Sequence, residues 1–415
     1  VNVMRILFTN TGPWGTGSAT VVDAISQEML RQGHEVKIFF PDCHFESMDT
    51  EKYYGHPDVY QIWEFPIERN GVKLYTFPLI IPDPHPRNYR HAWTFKDMSD
   101  AQLDLYMSEF KRKIKNIIEG FKPDVIECQH IWAMDHAIME LGYSYLSAAH
   151  HSDQLGFLRD ERMRSYAISA ARRAGYVLAI SDFVRDEVLE LYPVEPQKVI
   201  VTGNGYNQET FYPRKLNRQA LLTKYRLNIP DCVPIITFAG KMSKTKGVDI
   251  LLLANKIVQQ HQEVHLLLFG AGELDDILDK DKLQLYSLDN VHVMGHQLFD
   301  TLAQFHSIAS VSVLPSRSEG FGIAALEAMG CGTPLIVTRT GGPDIFAVGK
   351  IVEKEDPQQL ADAILNILNL APDNLRTLRR RAYSEARKFS WKSIVEQRLE
   401  LYEKTRREAP VGWTR

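Results

Sequence analysis

A rhythm that runs twice along the chain limits what it can fold into. Short apolar runs alternate with amphipathic stretches, first from Arg5 to Val201 and again from Ile235 to Val337. A strand covered on both faces is apolar at nearly every position, and parallel neighbours need a helical crossover, so this alternation specifies βαβ units around a parallel sheet. In the first half strands are expected at Arg5 to Thr9, Glu35 to Phe40, Val125 to Cys128, Tyr145 to Ala149, Tyr176 to Ile180 and Val199 to Val201. In the second they are expected at Ile235 to Ala239, His265 to Phe269, Val291 to Val293, Ala309 to Leu314 and Leu335 to Val337. The helix from Thr20 to Arg31 stops at Gly33, a residue suited to a helix C-terminus. Each half reads as a self-contained, doubly wound α/β unit, and 415 residues exceed what one core usually serves.

The two halves meet at Gly203-Asn-Gly-Tyr-Asn and Phe211-Tyr-Pro213, a turn-rich passage without periodicity. Domains over residues 1–203 and 204–390 are therefore expected. The amphipathic helix over 391–407, with Ile394, Leu399 and Tyr402 on its apolar side, follows an already complete second sheet and is expected to cross back onto the first domain. Tyr53 to Asp97 breaks the rhythm with Pro, aromatics and His, including Pro82-Asp-Pro-His-Pro-Arg87 and Tyr89-Arg-His-Ala-Trp93. It reads either as a partner or acceptor surface or as a padded loop with its own packing cluster.

A formal net charge of -4 argues against nucleic acid as the main partner. Cys43, Cys128, Cys232 and Cys331 lie far apart in no metal-ligand spacing and read as buried small residues of a reducing compartment. The first residues run into a strand without a signal-peptide pattern, and no apolar run approaches the roughly 18 residues of a spanning helix. A cytoplasmic protein is expected, with peripheral membrane contact open through the basic run Lys111-Arg-Lys113-Ile-Lys115. That run lies on a helical pattern whose apolar face is read as Tyr106, Phe110, Ile114, Ile117 and Phe121.

Chemistry concentrates where expected strands end. After Ala309 to Leu314 come Glu319 and Glu327 with Gly320, Phe321, Gly322 and Ile323 between them, and a short helix is expected to begin near Ile323. Glycine amides at a helix N-terminus favour an anion, while carboxylates accept hydrogen bonds from sugar hydroxyls. After the second domain's first strand, Lys241 and Lys246-Gly247 precede a helix starting near Val248, placed to neutralise a diphosphate. The spacing is not that of a P-loop. Gly15 and Gly17 in the first βα turn, with Asp42 as a ribose ligand, nearly match a dinucleotide fingerprint; alternatively Gly17 lets a ligand approach. His150-His151-Ser-Asp153 and Gly341-Gly342-Pro343-Asp344 follow two further strands. Adjacent histidines alone do not make a metal site, and none is expected.

Together these residues resemble the family 4 retaining glycosyltransferases of the GT-B fold, in which two Rossmann-like domains face a central cleft. The resemblance runs from Arg5 to about Tyr402, excepting the segment from Tyr53 to Asp97. It implies that Glu319 holds hydroxyls of the donor sugar, that Gly320, Phe321, Gly322 and Ile323 contribute to sugar and diphosphate binding, and that Glu327 meets the nucleotide ribose. It implies that Lys246, with Lys241 where the family often has Arg, anchors the leaving diphosphate, and that Gly17 lines the donor side. Backbone near Gly295 and His296 would meet the base. His151, or His150 if the register differs by one, matches the histidine near the anomeric centre. The chain departs from the family at Thr16-Gly17, where a double glycine is common, at Gly203 and at Asp344.

By the same resemblance the first domain binds the acceptor and the second a nucleotide sugar such as UDP-glucose or UDP-N-acetylglucosamine. Transfer to an acceptor hydroxyl of a saccharide, lipid-linked or small-molecule substrate would retain configuration, without cofactor or metal. Alternatives from other classes are a UDP-N-acetylglucosamine 2-epimerase on the same fold, an NAD-dependent oxidoreductase and a non-catalytic sugar-nucleotide binder.

Overall fold

In a computed structural model of the chain, residues 3–12, 14, 17–43, 51–82 and 93–408 are described. The chain divides into two compact units, one of Val1–Gly203 with Trp391–Arg415 and one of Asn204–Ser390. In the first unit the strands are β1 (Arg5–Asn10), β2 (Glu35–Asp42), β3 (Tyr60–Glu64), the antiparallel hairpin β4 (Ile67–Arg69) and β5 (Val72–Leu74), β6 (Val125–Gln129), β7 (Leu146–Ala149), β8 (Val177–Ala179) and β9 (Val199–Val201). Seven of them form a parallel sheet in the order β3-β2-β1-β6-β7-β8-β9. Strand order reverses between β1 and β6, the crevice where doubly wound sheets bind ligands.

The second unit carries β10 (Ile235–Ala239), β11 (His265–Phe269), β12 (Val291–Gly295), β13 (Val311–Leu314), β14 (Leu335–Thr338) and β15 (Gly349–Val352). These pair in parallel in the order β12-β11-β10-β13-β14-β15, so the reversal falls between β10 and β13. Strands β10, β11, β13 and β14 are buried throughout, which is why they read as unbroken apolar runs. The second sheet is not complete at β14: β15 adds an edge strand whose half-exposed Gly349, Lys350 and Ile351 carry no apolar run.

The segment from Tyr53 to Asp97 departs from expectation. Its described part supplies β3 to the main sheet and buries Tyr53, Tyr60, Trp63, Phe65, Phe77 and Phe95. Trp63 lies 4.9 Å from the Tyr106 ring and 5.9 Å from those of Phe39 and Phe110, ring centroid to centroid. These six aromatics therefore build core, as the packing-cluster reading expects, while Tyr75 stays exposed; Asp83 to Ala92, with most of the Pro- and His-rich run, lie outside the described residues, as does Gly15. Two smaller expectations also change. Helix Asp100–Phe121 buries Ile118 and not Ile117, and Cys232 is exposed. The basic run on that helix is largely paired: Lys111 with Glu140 at 2.5 Å, Arg112 with Glu109 at 2.8 Å and Lys115 with Glu119 at 3.7 Å. No helix among the described residues is long and apolar enough to cross a membrane.

Candidate active site

In the second unit the sequence places two loops side by side at the strand reversal. The loop after β10 leads into helix Val248–Gln259 through Gly247, which is left-handed at φ 70°. A Cβ there would overlap the carbonyl oxygen of Pro315 in the loop after β13, so the two loops approach backbone to backbone. Arg317 fastens them: its amide donates to the Thr245 carbonyl at 2.8 Å, and its guanidinium grips Asp249 at 2.7 and 2.8 Å while reaching the Lys244 carbonyl and Glu355. Arg317 and Asp249 escaped the sequence reading, although both lie inside the motifs that it singled out.

That scaffold brings Lys246 to Glu319, Nζ to Oε2 at 2.6 Å, with side chains 23% and 14% exposed. The pair is half-buried and reachable. Gly322, at φ 86°, turns the chain into helix Ile323–Gly330, leaving the first amides of that helix toward the same loop end. Phe321 turns inward, 3% exposed, against Phe346 at 5.4 Å and Phe389 at 6.1 Å, so only its backbone can serve a ligand. Glu327 is buried on this helix, and no side-chain partner for it is found among the described residues; desolvation pushes its carboxyl up to about 8. Lys241 lies in the loop after β10, and Gly295 ends β12, where its carbonyl accepts from Gly270 at 2.9 Å. Asp344 is absorbed by its own turn, accepting from the amides of Gly341 at 2.7 Å and Thr340 at 3.3 Å.

In the first unit, the histidines gather at the ends of β6 and β7. His130 and His151 both have positive φ, 74° and 72°, a strained backbone for a side-chain-bearing residue. Asp153 holds the two loops together, its carboxylate accepting from the amides of Ile131 and His150 at 2.9 Å each. His151 is 8% exposed; its Nδ1 meets Glu187 at 2.8 Å and its ring lies 5.4 Å from Phe183. His150 is more accessible, and its Nε2 lies 2.7 Å from Gln129 Oε1. Gly17 opens helix Gly17–Arg31, and a Cβ there would meet no described atom within 4 Å. The Asp42 carboxylate accepts from the Tyr54 hydroxyl at 2.8 Å through Oδ2. Among the described residues no group of three or more His, Cys, Asp or Glu could hold a metal ion.

The chain is similar to known glycosyltransferases in sequence and in fold. Residues 15–210 match Glycosyltransferase Family 4, and residues 223–389 match Glycosyl transferases group 1. An uncharacterized glycosyltransferase of Methanocaldococcus jannaschii is 25% identical over 93% of this chain and 94% of its own. A D-inositol 3-phosphate glycosyltransferase of Catenulispora acidiphila is 29% identical over 52% of this chain and 54% of its own. In fold, the chain is similar to a sucrose-phosphate synthase from Thermosynechococcus elongatus (TM-score 0.73, 20% identity, 98% of this chain and 100% of that one). It is also similar to Anabaena HepE in complex with UDP and glucose (TM-score 0.70, 16% identity, 97% and 100%). Two parallel α/β units of this topology are those of the GT-B glycosyltransferase fold. The first half carries the match to family 4 and the second the match to group 1, and together they make the chain a glycosyltransferase.

Proposed function

We propose that the protein is a retaining glycosyltransferase that moves a sugar from a nucleoside diphosphate, UDP for preference, to an acceptor hydroxyl. The observation that carries this reading is the 2.6 Å pair of Lys246 and Glu319 at the reversal of the second sheet, beside the N-terminus of helix Ile323–Gly330. As the acceptor oxygen bonds to the anomeric carbon, the bond to the diphosphate breaks, and negative charge grows on the departing oxygens. Lys246, Lys241 and the helix-terminal amides meet that charge, a stabilisation that needs no divalent ion. The acceptor proton passes to the leaving diphosphate on the same face, which retains configuration. Glu319 accepts from donor-sugar hydroxyls, and Glu327, whose carboxyl burial pushes up to about 8, meets the ribose and in its protonated form both donates and accepts. HepE, whose structure holds UDP and glucose, supports the UDP reading by analogy of fold.

On the acceptor side His150 is preferred to His151 because the residue as a whole is the less buried of the two, while His151 is pinned by Glu187. The acceptor class stays broad: saccharide, lipid-linked or small molecule. Peripheral membrane contact gains no support from the basic run, whose charges are mostly paired. The test is release of UDP from UDP-glucose or UDP-N-acetylglucosamine with an acceptor panel, before and after chelation. Turnover that survives chelation and falls roughly 100-fold in Lys246→Ala is expected. Product formed from the donor alone would point to the epimerase instead.

A further inference from the structure

The C-terminal helix Trp391–Glu408 brings an arginine into the interior of the first unit. Arg398 and Glu127, on β6, are both fully buried and directly paired. Tyr402, one turn further along the helix, donates its hydroxyl to the other oxygen of Glu127, and Arg398 also reaches Thr202 Oγ1 at 3.3 Å. Gln129, two residues along β6, donates Nε2 to Glu127 Oε1 at 2.9 Å, and its Oε1 lies 2.7 Å from His150 Nε2. A continuous line of side chains thus joins the helix to the histidine.

We propose that Arg398, Glu127 and Gln129 form a relay that fixes His150 as its Nε2–H tautomer, which makes the C-terminal helix a positioning element for the candidate site. The directions follow from what each group can do. Guanidinium only donates, so Glu127 is held as an acceptor. The Gln129 amide must then turn its NH2 to Glu127 and its oxygen to His150. An oxygen at 2.7 Å from Nε2 requires a proton on that nitrogen, which leaves Nδ1 with a free lone pair. Burial, the neighbouring His130 and Arg398 all hold the ring neutral, so it carries one proton, not two. Asp153 faces the His150 backbone amide and does not supply a second. The result is an imidazole that accepts a hydrogen bond from a substrate hydroxyl rather than donating one to a phosphate.

The consequence for catalysis rests on His150 being the histidine that meets substrate; the tautomer itself does not, so the two are measured separately. The whole protein, labelled with 15N-histidine, is read by long-range proton–nitrogen correlation near neutral pH. Wild type is expected to show His150 protonated at Nε2 alone. In Gln129→Met the Nδ1–H form becomes visible, and kcat falls about tenfold with donor KM changed less than about twofold. Gln129→Glu restores both, because a protonated carboxyl donates to Glu127 and accepts from His150. If Gln129→Met does not fold, Glu127→Gln with Arg398→Met serves: it removes the charges together, lets the Gln129 amide flip, and is expected to populate Nδ1–H. Wild-type protonation at Nδ1, or Nε2–H alone persisting in these variants, overturns the relay. If the tautomer responds as stated while His150→Ala keeps full kcat, the relay stands and the assignment of His150 to substrate falls.

Discussion

At the scale of single residues, the structure turns Glu327 from a helix-face carboxylate into a pH-sensitive liability. Its carboxyl lies at about 8 in the folded chain against 4.5 for the ordinary group, because burial disfavours the charge. The folded state therefore holds this proton more tightly than the unfolded one, and stability is lost as pH rises from 4.5 to about 8, on the order of a few kcal/mol in all. Glu327→Gln is expected to melt above wild type at pH 8 and to converge with it toward pH 5; a Tm difference that ignores pH would refute the desolvated carboxyl. Lys246 and Glu319 make a second case. As they touch at 2.6 Å, the single variants Lys246→Ala and Glu319→Gln should each cut kcat/KM about 100-fold while the double variant falls well short of their product. Additive losses in the double-mutant cycle would show the two acting separately.

At the scale of elements, the decisive contacts are between loops. Gly247 combines a left-handed backbone with direct approach to the Pro315 carbonyl, so Gly247→Ala is expected to cost roughly 1–3 kcal/mol in urea unfolding. Gly17→Ala provides the contrast, with open space at its Cβ among the described atoms. It should unfold within about 0.5 kcal/mol of wild type while weakening donor turnover. The strands with buried, apolar patterns were legible because their residue types leave no other place for them. β3 and β15 were not, since β3 buries only Tyr60 and Trp63, with no period-2 pattern, and β15 is an edge strand. Their sheet membership depends on a neighbour's free edge, a long-range fact.

At the scale of the whole chain, the first unit is discontinuous, leaving at Gly203 and regaining Trp391 to Arg415. The returning helix is held by a buried ion pair, and such pairs tolerate joint replacement better than loss of one partner. Arg398→Ala should therefore cost about 3–5 kcal/mol, with Glu127→Gln and Arg398→Met together costing much less in the same denaturation assay. Ligand linkage gives the complementary measurement. UDP at 100 times its Kd should stabilise the native protein by about 2.7 kcal/mol, and no thermal shift with any nucleoside diphosphate would remove the donor assignment.

What the amino-acid sequence determined alone is the double α/β rhythm, the loops that carry Lys241, Lys246 and Glu319 with the short helix that carries Glu327, and the family resemblance, because local pattern and spacing suffice for each. Tertiary structure decided which of these residues meet. Lys246 and Glu319 are 73 positions apart, and only the parallel order β10–β13 makes them neighbours. Glu127 and Arg398 are 271 apart, and nothing in a lone buried-strand Glu or a helical Arg announces that each is the other's counter-charge. The physical reason is the same in both cases: a charge in water is satisfied anywhere, whereas a buried one must find a partner, and the fold chooses it.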